Sequence, residues 1–61
     1  MAKYSDMTMA QLDALLPSLT DEEVTEALME TYGDRSVDIA DDRKRGLTDR
    51  QILQDFLDWG I

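Results

Sequence analysis

Apolar residues recur at helical spacing in three parts of the chain. Met9, Leu12, Leu15 and Leu16 share one face of a segment spanning about 9–16, and Pro17 ends it by disfavouring helical geometry in the residue before it. Val24, Ala27, Leu28 and Thr31, with Tyr32 at the edge, make the inner stripe of a second helix over about 21–32. A further helix over about 49–59 carries Ile52, Leu53, Phe56, Leu57 and Trp59 across close to half of its circumference, wider than a one-sided surface helix requires. Two arrangements account for that width. The helix is the most buried element of the monomer, with Phe56 and Trp59 in the core, or Leu53 and Leu57 pack against a second chain in a homodimer. A core this small must use every apolar residue it has, which favours the first.

One phrase opens each of these helices: Met7-Thr8-x-x-Gln11-Leu12, Leu19-Thr20-x-x-Glu23-Val24 and Leu47-Thr48-x-x-Gln51-Ile52. Threonine accepts the backbone N–H three residues on, the Gln or Glu there reaches back to the threonine N–H, and the flanking apolar residues close a hydrophobic staple. The offsets between the three are unequal, so they mark helix starts and not a solenoid repeat. Gly33 stands where a left-handed C-terminal cap of the second helix is expected. Between Asp34 and Arg45 the pattern is weaker. Val37 and Ile39 alternate as in a strand, yet Ser36 can cap a helix, and Asp38, Asp41 and Asp42 precede Arg43, Lys44 and Arg45 in the order the helix dipole prefers. A lone strand has no sheet to join, so the segment reads as a short helix over 37–45 closed by Gly46. The expected fold is all-α, a small bundle of three to four short helices: a loose arm over 1–7 carrying Tyr4, then a single helical domain over 8–61.

The chain of 61 residues contains neither cysteine nor histidine, which removes the commonest general base, the commonest metal ligand and the strongest nucleophile at once. With a core too small for a roomy cleft, the expectation is no enzyme, no metal and no cofactor. The aspartates between Asp34 and Asp42 do not follow a calcium-loop spacing. No run reaches the length of a membrane span, and the amino terminus lacks the charged and apolar regions of a signal peptide, so a cytoplasmic protein with no membrane partner is expected.

The net charge of −8 is unevenly placed. Eight carboxylates stand against Lys3 alone before residue 35, whereas 35–50 holds five basic and four acidic groups. This field disfavours direct association with nucleic acid and steers a basic protein partner toward the chain. On the second helix Glu22, Glu26, Met29 and Glu30 fall opposite Val24 and Leu28, and a flexible methionine amid carboxylates suits a basic, partly apolar surface.

Gly46-Leu47-Thr48-Asp49-Arg50-Gln51-Ile52 resembles the turn and second helix of a helix-turn-helix, with Arg50 and Gln54 on the would-be recognition helix. It departs from that family at Asp42, where a small residue is usual, and Asp49, Asp55 and Asp58 would meet phosphates with the wrong sign. Leu15-Leu16-Pro17, with Gly33-Asp34 before Val37 and Ala40, is similar to three-helix ubiquitin-binding modules, though their Met-Phe pair is Leu-Leu here. Thr20-Asp21-Glu22-Glu23-Val24 through Tyr32-Gly33-Asp34 looks like one helix of the cytochrome c maturation thiol-reductase module, whose Cys-x-x-Cys is missing. The functional expectation is a non-enzymatic interaction module, a regulator or inhibitor that binds a basic surface of a larger protein through Glu22, Glu26, Met29, Glu30, Leu53 and Leu57. The alternatives are a nucleic-acid mimic that blocks a DNA- or RNA-binding enzyme and a helix-turn-helix DNA-binding regulator.

Overall fold

The computed structural model describes residues 3–60, and the fold is all-α. Helix α1 spans Met9–Leu15 and tightens into a 3-10 turn at Leu16–Ser18; α2 spans Asp21–Tyr32; a second 3-10 turn at Gly33–Arg35 leads into α3, Ser36–Lys44; α4 spans Asp49–Trp59. All three threonine boxes are formed. Gln11, Glu23 and Gln51 donate their backbone N–H to the hydroxyls of Thr8, Thr20 and Thr48 at 3.1, 3.2 and 3.2 Å. The reciprocal bonds, from each threonine N–H to the side-chain oxygen three residues on, are all 2.9 Å. Each box satisfies two amides that the helix itself leaves without partners. Thr20→Ala and Thr48→Ala are therefore each expected to cost about 0.5–2 kcal/mol. Urea midpoints unchanged in both variants would contradict that assignment.

The junction after α2 differs from the expectation at Gly33. Its φ of −60° is right-handed, so no left-handed cap forms there. The chain instead tightens through the 3-10 turn and re-enters a helix, which places Ser36 inside α3 and leaves Arg35 before it without a side-chain cap bond. The stop after α3 does use a left-handed glycine. Gly46 has φ +89°, its N–H donates to the Arg43 carbonyl at 3.0 Å, and the Leu47 N–H donates to the Asp42 carbonyl at 3.2 Å. Those two bonds make a Schellman motif, and a side chain at position 46 would be strained in that backbone geometry.

The core gathers Leu12, Leu16 and Leu19 from α1 and its extension, Val24, Ala27, Leu28 and Tyr32 from α2, Ile39 from α3, and Ile52, Leu53 and Phe56 from α4. Helix α4 packs against each of the other three. Its N-terminal residues Asp49 and Arg50 meet Thr25 and Asp21, and Phe56 stacks on Tyr32 with centroids 4.9 Å apart, so α2 and α4 run in the same sense. Helix α1 opposes them, since its Leu16 end meets Arg50.

Two expectations about aromatic residues are corrected. Tyr4 does not ride on a loose arm: it is 1% exposed and belongs to the core. Glu30 holds it there, accepting the backbone N–H groups of Lys3, Tyr4 (2.7 Å) and Ser5 (3.1 Å). Trp59 is not in the core but 81% exposed. Tyr32, the last residue of α2, already covers Phe56, so one turn later α4 has run past the helix that would bury Trp59.

Candidate partner-binding surface

Helix α2 turns Val24, Ala27 and Leu28 inward and thereby presents Glu22, Glu26 and Met29 to solvent, with Met29 43% exposed. Glu30 lies beside them but is already engaged. The backbone N–H groups of Tyr4 and then Ser5 hold its carboxyl below the usual range, against the opposing effect of burial. Its role is to dock the segment before α1, which corrects its expected place among the partner contacts. Glu23 is likewise committed to the α2 cap, where the Thr20 backbone N–H lowers its pKa. The carboxylates left outward on this face are thus Glu22 and Glu26, one helical turn apart.

Most of the basic side chains are tied to the chain's own acids or carbonyls. Arg43 forms a two-pronged pair with Asp49, at 2.8 and 2.9 Å, and the Thr25 hydroxyl donates to the same carboxylate at 2.6 Å. The Arg43 guanidinium holds the Asp49 carboxyl below its ordinary range, and Asp49 in turn raises Arg43. Arg35 pairs with Asp38 at 3.8 Å and Arg45 with Asp41 at 3.0 Å. Arg50 is not an exposed reader of bases. It donates to the carbonyls of Leu16 (2.8 Å) and Leu19 (2.6 Å) and to Asp21 (3.2 Å), joining α4 to the turn between α1 and α2. Gln54 donates to both Asp13 and Asp58 at 2.9 Å. The two polar residues on which a recognition helix would rely are therefore used inside the fold.

The two leucines of the α4 arc separate. Leu53 is fully buried in the monomer and offers no surface to a partner, a correction to its expected role. Leu57 is half-buried and lines a groove with Met7, Met9, Leu12, Thr31 and Tyr32, enclosing about 190 Å³. Pattern reading missed this groove because one wall comes from the segment before α1, which lacks helical periodicity. Met7 and Met9, on either side of the Thr8 cap, are its signal in the sequence. Among the described residues no cluster of three or more His, Cys, Asp or Glu converges as a metal site would require, and no helix is long and apolar enough to cross a membrane.

The molecule is thus a small all-α bundle with an acidic outer helix face and a separate apolar groove. Comparison with protein-family models, curated proteins and solved structures finds no match to this chain.

Proposed function

We propose that this protein is a non-enzymatic interaction module that regulates or inhibits a larger protein by occupying a basic surface on it. The observation that supports this reading is the outer face of α2, where Glu22 and Glu26 stand exposed around Met29 while the neighbouring Glu23 and Glu30 are taken up by the Thr20 cap and by the backbone N–H groups before α1. Exposed carboxylates contribute mainly to association rate and orientation, and the methionine supplies an adaptable apolar contact.

The test is affinity capture from cells that carry the protein, followed by binding measurements with the purified captured protein. Association is expected to slow steeply as salt rises, because exposed charges are screened over about 8–10 Å. Glu22→Lys combined with Glu26→Lys should slow it further while leaving the circular dichroism spectrum unchanged. Binding indifferent to both salt and charge reversal would overturn the reading. A nucleic-acid mimic is a narrower form resting on the same carboxylates, distinguished by displacement of a labelled oligonucleotide from the captured protein. Direct DNA binding is the weaker reading, since Arg50 and Gln54 are occupied within the fold.

A further inference from the structure

The groove between the segment before α1, the N-terminal end of α1 and the C-terminal ends of α2 and α4 has a floor and walls of unusual composition for so acidic a protein. Met7, Met9, Leu12, Tyr32 and Leu57 line it, and its volume of about 190 Å³ exceeds the roughly 150 Å³ cavity that accepts a benzene ring. One leucine or phenylalanine side chain fits that space. Met9 is 40% exposed at its edge, and unbranched methionines can re-pack around differently shaped anchors.

The charge beside the groove selects the kind of chain that would carry such an anchor. Asp13 lies one helical turn after Met9, and Asp58 directly follows Leu57. Both carboxylates accept from the same Gln54 amide nitrogen at 2.9 Å, so their bonded oxygens are no further apart than twice that distance. A neutral amide bridges them without cancelling either charge. Arg35, whose charge is felt at Tyr32, is paired with Asp38. Among the described residues neither Asp13 nor Asp58 forms an ion pair, so a lysine or arginine from outside complements this seam. A second copy of the chain fits poorly, because it brings its own net charge of −8.

We infer that the groove is a docking site for a cationic amphipathic peptide segment, one apolar side chain of which fills the space between Met9 and Leu57 while an adjacent lysine or arginine meets Asp13 and Asp58. This goes beyond the role given to Glu22 and Glu26 and does not depend on it.

The test uses the full chain labelled at its methionine methyl groups, where Met7 and Met9 report the groove and Met29 reports the outer face of α2. The probes are a synthetic peptide of lysine and leucine at amphipathic helical spacing, the same peptide with serine for leucine, and the same with glutamine for lysine. The lysine–leucine peptide is expected to shift the Met7 and Met9 methyl resonances and leave Met29 in place. Each control peptide should bind at least about tenfold more weakly. Met9→Lys and Asp58→Lys, both at exposed positions, should each weaken the lysine–leucine peptide by about tenfold with circular dichroism unchanged. Glu22→Lys with Glu26→Lys should leave the Met7 and Met9 shifts intact, which separates this proposal from the fate of the α2 face. Shifts confined to Met29, equal binding of the serine peptide, or no binding would each overturn the inference. So would Met7 and Met9 shifts that grow with the protein's own concentration, which would assign the groove to self-association.

Discussion

Phe56→Ala is expected to remove most of the stability of this domain. Phe56 is 6% exposed, stacks on Tyr32 at 4.9 Å with planes tilted by 57°, and sits on the helix that touches all the others. Truncating a buried phenylalanine typically costs about 3–5 kcal/mol, from the lost transfer energy and the cavity left behind. At about 0.05–0.15 kcal/mol per residue, 61 residues sustain roughly 3–9 kcal/mol in total, so at the middle of both ranges the substitution removes about two thirds of it. Trp59→Ala, three residues on, should change stability by no more than about 0.5 kcal/mol, because an 81% exposed ring gives up little burial. Native Trp59 should emit as a solvent-exposed indole. Urea melts followed by far-ultraviolet circular dichroism measure both costs. A Phe56→Ala midpoint near that of the unaltered chain, or blue-shifted Trp59 emission in the monomer, would contradict this placement.

The contrast between Phe56 and Trp59 marks how far sequence pattern reaches. Local chemistry was legible: the three threonine boxes start helices where they were expected, the apolar stripes of α2 and α4 face inward, and the basic end and glycine stop of α3 are present. Those features depend on residues within a few positions of one another. Helical spacing assigns a residue to a face but says nothing of where the neighbouring helix ends, so it could not tell buried Phe56 from Trp59. Sequence pattern was equally silent on long-range pairings that close the fold. Glu30 gathers amides 25 to 27 residues away, and Arg50 reaches carbonyls 31 and 34 residues away. Read locally, each looks like one more solvated charge. Read that way, Tyr4 falls on an arm and Glu30 on a binding face, and Arg50 enters only through the helix-turn-helix alternative. Of the proposed contact residues on α2, Glu22, Glu26 and Met29 are exposed as the pattern implies, since their exposure follows from the stripe opposite them. The groove was not legible, because it arises where three separate segments meet.

Leu53→Asp and Leu57→Asp are expected to part company, and the difference decides whether the wide apolar arc of α4 belongs to one chain or two. Leu53 has no exposed surface and sits among the apolar side chains of the core. Aspartate there loses the packing of a buried leucine, a cost of about 2–5 kcal/mol, and adds several more for a carboxylate without water or a counterion. Raising its pKa so that it enters neutral relieves part of the second cost at most. The sum matches or exceeds the stability available to a domain of this size, so Leu53→Asp should give a disordered chain by circular dichroism at any protein concentration. Leu57 is half-buried on the groove, where an aspartate can turn its carboxylate toward solvent. A cost of about 1–2 kcal/mol, set by partial loss of leucine burial, leaves that variant folded. A dimer seam at both leucines would instead yield two folded monomers that sediment at half the mass of the unaltered protein. Finding Leu53→Asp folded would refute the monomeric core and make the inner face of α4 the partner surface, whereas an unfolded Leu53→Asp beside a folded Leu57→Asp assigns the inner face of α4 to the monomer and leaves Leu57 and the exposed Trp59 as the apolar residues of this helix open to a partner.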